Sequence, residues 1–257
     1  MNSLIFSLLP LLLFLSGCAV TGQHSATQPV HATSSAVGDD FANVQVQKVD
    51  DPFQGVNRAM FGFNDKLTTY ALRPVAHGYA LIVPLPARTG ISNFFDNLQF
   101  PVRFVNSVLQ GKLKRSAQET GKFVFNSTFG IGGLFRVSDH VSGLTDIPPE
   151  DFGQTLAAWG LPPGPYLVVP VLGPSDCRDI VGFGVDWAIT PLDWHPLGVV
   201  RWTIIGNAAS FGLSATRYIN GLPKAIEAYD QVKAGAVDPY IALRDGYLSY
   251  RAAQVKK

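Results

Sequence analysis

Charge is scarce in this chain. Only 15% of its 257 residues are charged, against 47% apolar, where an ordinary soluble domain carries about 25% charged residues. The formal net charge is +1, so no broad basic face is available and a nucleic-acid partner is not expected. Cysteine is nearly missing. Cys18 and Cys177 are the only two, too few for a disulfide scaffold or a cysteine zinc site. The five histidines are scattered: His24 and His31 lie near the N-terminus, and His77, His140 and His195 stand apart. None has the spacing of a metal pair, so neither a metal nor another cofactor is expected. No Gly-x-Ser-x-Gly nucleophile elbow occurs. Gly130-Ile131-Gly132-Gly133 lacks the Gly-Lys-Ser/Thr that would complete a phosphate loop. Asp193-Trp194-His195 sets a carboxylate beside an imidazole, but such a triplet is turn chemistry before it is catalysis. These absences argue against an enzyme and for a binding or transport role. No internal repeat is present either. The best candidate span, residues 197–216, carries Arg201, Asn207, Ser210, Ser214 and three glycines, and reads as a core or interfacial helix.

The N-terminus carries a different signal. Residues 4–15 are apolar except for Ser7 and Pro10. A run of about twelve residues is too short to span a bilayer but fits the core of a signal peptide. It ends in Leu15-Ser16-Gly17-Cys18, which resembles a bacterial lipobox. That resemblance implies cleavage before Cys18 and acylation of its thiol and new amine, and two or three chains give stable anchoring where one does not. Met1-Asn2-Ser3 lacks the usual Lys or Arg of such a leader. Ala19, where Asp would favour inner-membrane retention, leans toward the outer membrane. Residues 1–17 are therefore read as signal peptide. Residues 18–49 are read as the lipidated cysteine and a flexible tether, rich in Ser, Thr, Ala, Gln and Val. No Lys or Arg precedes Lys48. Some 30 flexible residues span roughly 30 Å. In the mature chain Cys177 is the sole free thiol and reads as a small packing residue.

Residues 50–257 read as many short helices. Asp51-Pro52-Phe53-Gln54 has the form of a capping box. Phe53, Val56, Met60, Phe63, Leu67 and Tyr70 then recur at helical spacing on one face. Prolines at 52, 74, 86, 101, 196, 223 and 239 sit where helices open. Gly111 stops the helix from Val102 to Gln110, and residues 112–129 form the next. Asp151 starts a short helix, residues 166–172 are the best strand candidate, and Ser175 can cap a helix through Ala188. Residues 196–219 are expected as one helix stopping at Gly221, and Pro223 is expected to open another. The fold class is mainly α: one multi-helix domain with at most a minor strand or hairpin. Trp187, Trp194 and Trp202 cluster around Pro191 and Pro196 and read equally as aromatic core or as interfacial anchors. Lys112, Lys114 and Arg115 form a basic group that fits anionic lipid headgroups or an ordinary solvated helix start.

Several segments occur together in order: Asp51-Pro52-Phe53-Gln54-Gly55-Val56-Asn57-Arg58, Val83-Pro84-Leu85-Pro86-Ala87-Arg88-Thr89-Gly90-Ile91-Ser92-Asn93, Phe104-Val105-Asn106, Asn126-Ser127-Thr128-Phe129-Gly130-Ile131-Gly132-Gly133, Asp151-Phe152-Gly153-Gln154, Gly173-Pro174-Ser175, Arg178-Asp179 and Asp238-Pro239-Tyr240. The ordered set resembles the VacJ/MlaA family of phospholipid-binding outer-membrane lipoproteins over residues 51–250. The resemblance implies a compact helical ring in the inner leaflet of the outer membrane, associated with a trimeric porin. It implies passage of mislocalised phospholipid from the outer leaflet through an amphipathic channel to a periplasmic lipid carrier, which maintains lipid asymmetry. No bond is made or broken in such a step, and no cofactor is needed. The candidates for channel or lipid contact are Asn57, Arg58, Asn64, Arg88, Asn93 and Asn106, with hydrogen bonding between helices as the competing role. Phe61 and Phe63 hold the first helix at the channel wall or belong to the core. Arg136 departs from the family pattern, with the acidic residue displaced to Asp139. A lipoprotein that only scaffolds a porin is the alternative, and a lipase would need a nucleophile and base that the sequence does not show.

Overall fold

Residues 49–145, 147–190 and 207–256 are described by a computed structural model. The chain divides at Pro52 into two units, and every element below belongs to residues 53–257. Helix α1 (Gln54–Leu67) runs through a π-helical turn (Thr68–Leu72) into α2 (Arg73–Ile82). The expected capping box does not open α1: the N-cap is Phe53 and it makes no side-chain capping bond. Pro74 sits in the first turn of α2 as expected. The wider π turn before it absorbs the change of register, so the chain does not break there.

Then come α3 (Leu85–Leu98), α4 (Phe100–Leu109) and α5 (Leu113–Thr128). Pro86 and Pro101 lie in the first turns of α3 and α4, where their missing N–H costs nothing. Gly111 takes the left-handed conformation (φ 72°) that ends α4. A 3₁₀ turn (Val137–His140) interrupts the loop that follows. Asp151 caps α6 (Phe152–Ala158), accepting from the Gln154 N–H at 2.8 Å.

The expected strand is shorter than residues 166–172 and has a partner. Strand β1 (Tyr166–Val169) pairs antiparallel with β2 (Gly173–Asp176). Strand β2 runs through Ser175 to Asp176, and Asp176, its last residue, is the cap of α7 (Cys177–Ile189), accepting from the Asp179 N–H at 2.8 Å. Helix α8 (Asn207–Ala234) does not stop at Gly221 or restart at Pro223; the proline is inside it. An internal proline costs about 3 kcal/mol. It is flanked by Leu222 and Ile226, which are buried together with Ala76 of α2, and that packing carries the helix through. Asp238 caps α9 (Pro239–Val255) by accepting from the N–H groups of Tyr240 and Ile241.

The mainly α expectation holds, with one hairpin. Among the described residues no helix is long and apolar enough to cross a membrane, and residues 197–206 of the candidate span, with Trp194 and Trp202, lie outside them.

The distribution of polarity is reversed from that of a water-soluble domain. Among the described residues, eight apolar side chains are buried against nineteen polar or charged ones. The apolar stripe predicted on α1 splits. Val56 (61% exposed), Phe63 (49%) and Tyr70 (78%) face outward, while Met60 packs against a cluster of Tyr166, Val168 and Tyr240. Periodicity identified an amphipathic helix but not which medium each face meets.

Close packing of α6 on α7 depends on two glycines. A Cβ at Gly182 would lie 2.4 Å from the Gly153 nitrogen, and one at Gly153 would lie 2.4 Å from Asp179 Oδ1. Gly184, in the same helix as Gly182, meets nothing within 4 Å. Gly182→Ala should therefore destabilise the fold by about 1–3 kcal/mol through overpacking. Gly184→Ala should be neutral or stabilising by up to about 1 kcal/mol through helix propensity. Thermal melts of the two variants, read by circular dichroism, should shift in opposite directions or leave Gly184→Ala unmoved.

Candidate functional site

Three cavities share walls. The largest, about 780 Å³, is bordered by Asp96, Arg103, Glu150, Asp186, Trp187, Ser214, Arg217 and Tyr218. Through Asp96, Arg103 and Pro149 it adjoins a cavity of about 200 Å³ that also holds Asn93, Asn97, Lys122 and Arg136. Through Asp151, Leu172, Phe183 and Asp186 it adjoins one of about 400 Å³, next to Asp179, Tyr247 and Arg251. The walls are thus rich in basic groups at one end and in carboxylates at the other.

Most of the wall charges have partners within the protein. Arg103 on α4 donates through Nε to Glu119 Oε2 on α5 (2.8 Å) and through Nη1 to the Asp96 carbonyl (2.7 Å). Arg136 pairs with Asp96 on α3, so the residue that departs from the family pattern ties the loop after α5 back to this wall. Lys112 (3.0 Å) and Arg115 both meet the buried Glu150 Oε1. Two members of the basic group proposed for headgroups are therefore engaged inside the protein.

At the acidic end, Arg251 on α9 donates to both Asp151 oxygens (2.6 and 3.0 Å) and both Asp179 oxygens (2.5 and 2.7 Å). Tyr247 donates to Asp179 as well. Burial pushes the Asp151 carboxyl up, but the bond and charge of Arg251 and the Gln154 N–H outweigh it and hold it below its ordinary value. Among the described residues Asp186 on α7 has no cationic partner of this kind. Its oxygens accept from Asn106 Nδ2 (2.8 Å) and the Phe152 N–H (2.9 Å). Burial, the largest influence, raises its carboxyl to about 6. Asp176 is likewise raised to about 6, by burial and then by the charge of Asp179.

Of the sequence candidates, Asn93 lies in the wall of the small cavity and donates to the Leu134 carbonyl at 3.0 Å. Asn106 stands behind the wall, fully buried, bonded to Asp186, Thr155 and the Val102 carbonyl. Asn57 and Asn64 grip the hairpin. Asn57 Nδ2 donates to the Tyr166 carbonyl and its Oδ1 accepts from the Val168 N–H. Asn64 does the same with the Val169 carbonyl and the Val171 N–H. Seven residues of helix rise about 10.5 Å, which sets Asn57 at the outer edge of β1 and Asn64 at the turn that follows it. The edge is closed by side chains where a third strand would otherwise pair.

Arg58 pairs with Asp238 (2.6 Å) and lies over the Tyr240 ring. Phe61 packs edge-on to the same ring, and Phe63 faces outward. The Arg88 Nε is buried and has no hydrogen-bond partner among the described residues. Arg103, Asp186, Arg217 and Arg251 were not singled out from the sequence. Asp186 had a signal, as the lone acid in the apolar run 180–188.

Asn57→Ala would strip two buried backbone groups of their partners. At roughly 1–3 kcal/mol for each such group, a loss of about 2–6 kcal/mol is expected, with the hairpin amides losing hydrogen-exchange protection first. The raised carboxyls make a pH prediction. An unfolded Asp titrates near 3.9 and these two titrate near 6 when folded. The folded state therefore holds more protons between about pH 4 and 6, and stability contributed by these groups falls as pH rises through that window. Asp186→Asn should flatten that fall in melting temperature measured from pH 4 to 7.

The chain is similar to known proteins over most of its length. The model of the family described as MlaA lipoprotein matches residues 49–254. A relative in Escherichia coli (strain K12), named intermembrane phospholipid transport system lipoprotein MlaA, is 33% identical over 219 residues, covering 84% of this chain and 82% of the relative. The relative of the same name in Haemophilus influenzae is 29% identical over 213 residues, covering 82% and 81%. A solved structure from work on the structural basis for maintenance of bacterial outer membrane lipid asymmetry superposes with a TM-score of 0.66 at 33% identity, covering 81% of this chain and 100% of the other. The chain belongs to the MlaA lipoprotein family.

Proposed function

We propose that this chain is an outer-membrane lipoprotein that takes mislocalised phospholipid from the outer leaflet, passes it by way of the adjoining amphipathic cavities and hands it to a periplasmic lipid carrier, so maintaining lipid asymmetry. One observation carries the reading: adjoining cavities that set charged side chains among apolar ones lie in a unit whose exterior is studded with large apolar side chains. A lipid crossing needs a polar path for its headgroup, because an unpaired charge in an apolar medium costs several kcal/mol or more. An apolar exterior suits a body sunk into one leaflet. Cys18 would carry the acyl anchor and residues 18–49 the tether. A trimeric porin is the proposed membrane partner, seated against the apolar exterior. Asn93 and Arg103 are assigned to the headgroup path. Asn57, Asn64 and Asn106 support it from behind, and Arg58 and Arg88 belong to the frame. The step is passive, with no covalent chemistry.

Ser214 borders the largest cavity, and Ser214→Trp should obstruct it. In a strain lacking the gene, outer-leaflet phospholipid should accumulate and detergent sensitivity should rise. The unaltered gene should reverse both, and Ser214→Trp should reverse neither while still co-purifying with the porin. Full rescue by Ser214→Trp would remove the cavity from the route. An unaltered outer leaflet in the deletion strain would defeat the transport reading and leave porin scaffolding.

A further inference from the structure

A fourth cavity, of about 450 Å³, lies beside these and differs from them in having no Asp, Glu, Lys or Arg in its lining. Helix α1, the π turn, the hairpin, α8 and α9 enclose it with Leu67, Leu72, Val168, Leu222, Val232 and Leu243 among its walls. Its volume lies within the roughly 300–1,000 Å³ of small-molecule sites. The polar groups on its rim are mostly spent elsewhere. Asn64 is bonded to the hairpin on both sides, and the Tyr229 hydroxyl donates to Asp65 Oδ1 at 2.8 Å.

Two residues, Leu172 and Tyr218, border both this cavity and the largest polar one. Leu172 comes from the hairpin turn, where Val171 is held at φ 69°, a conformation that a β-branched residue adopts only when its surroundings impose it. Tyr218 brings an apolar ring with a polar end to the boundary. The preceding residue on α8, Arg217, borders the polar side. A cavity without charged lining thus adjoins one that has several charged groups, and the amphipathic Tyr218 is in the walls of both.

We propose that this cavity holds one acyl chain of a phospholipid whose headgroup occupies the adjoining polar cavity. The proposal rests on the transport reading and adds to it a resting place for the lipid inside the protein. A polypeptide segment is a poor occupant: its backbone N–H and C=O groups would meet aliphatic walls with no partner. An acyl chain carries no such groups. The lipid is therefore held at both ends by one protein, with its headgroup among paired charges and one tail out of the bilayer.

The test uses the full lipidated protein in vesicles of phosphatidylethanolamine and phosphatidylglycerol. A trace of phosphatidylethanolamine carries a diazirine at the end of one acyl chain. After irradiation, mass spectrometry should place the label in residues 67–72, 168–172 and 222–232. Ala228 borders the cavity from an exposed position on α8, so Ala228→Trp should fill it without disturbing the buried core; Ala225→Trp is a second filler. Either variant should lower that labelling about tenfold, equivalent to about 1.4 kcal/mol of binding. Label on outward residues such as Phe63 and Tyr70 should not change. Label confined to outward residues, or undiminished in both fillers while circular dichroism shows them folded, would overturn the proposal. So would a cavity that stays unlabelled because the chain's own acyl groups or a partner fill it. If the unaltered protein clears outer-leaflet phospholipid in cells and the cavity is unlabelled, transport stands and the acyl site falls. If it does not clear lipid, both fall.

Discussion

Arg251 on α9 reaches two carboxylates on two other helices, and most of the site depends on that clamp. Asp151 is the cap of α6 and Asp179 lies in the first turn of α7, so one guanidinium fixes the beginnings of both helices at once. A bidentate guanidinium–carboxylate pair is directional as well as charged, and here it is doubled. The side chains are largely buried. Removing Arg251 would take the cation from Asp151 and leave Asp179 only Arg178 at 3.3 Å and the Tyr247 hydroxyl, whereas an apolar replacement of the whole group would not reproduce the alignment. Gly153 and Gly182 exist at the contact because a methyl at either would meet the clamp or the facing backbone. Asp186 lies seven residues beyond Asp179 on α7, and its place in the cavity wall follows from how α7 is pinned.

The scarcity of charge in the sequence takes its meaning from where the charges are. Many are inside, paired across elements: Arg103 with Glu119, Lys112 and Arg115 with Glu150, Arg251 with Asp151 and Asp179. Buried amides do similar work. Asn220 on α8 donates to the Arg88 carbonyl and Ser92 on α3 and accepts from Tyr79 on α2. Asn57 and Asn64 hold the hairpin, and Asn106 holds Asp186. Where the surroundings are apolar, burying more apolar surface between helices gains little. Association then rests on close packing of small residues and on hydrogen bonds between elements. The glycine contact of α6 with α7 and the asparagine cross-links are those two devices.

Local signals in the sequence were reliable where the physics is local. Pro86, Pro101, Asp151 and Asp238-Pro239 start helices as read, and Gly111 ends one, because a missing N–H, a capping carboxylate and a left-handed φ act within a few residues. The errors came where distant packing decides. Ser175 and Asp176 are both competent caps, and the pairing with β1 runs on to Asp176, so the helix starts one residue later than read and Asp176 caps it. Pro223 should break a helix in isolation, yet Leu222 and Ile226 bury against α2. The stripe of Phe53, Val56 and Phe63 has helical spacing whether its other side is core or lipid. The asparagines singled out from the sequence are structurally busy, but three of them hold the walls from behind. The wall charges come from the C-terminal half as well, where Asp186 stood alone among apolar neighbours.

The paired state of the wall charges also bears on how a lipid would move. A path lined by bare cations would hold a phosphate tightly and stall it, whereas conduction requires sites favourable enough to enter and weak enough to leave. Arg103, Arg136 and Arg251 already have carboxylate partners. A passing phosphate would therefore meet dipoles and partly compensated cations, and would exchange with partners already present. The same holds for an ammonium group at the acidic end, where Asp151 and Asp179 are bound to Arg251 and Asp186 is poised between charged and neutral near pH 6. Such walls replace hydration without providing a deep trap, as a carrier driven by no chemical step requires. The apolar cavity next to them would supply what the polar walls cannot: a place for a tail while the headgroup advances.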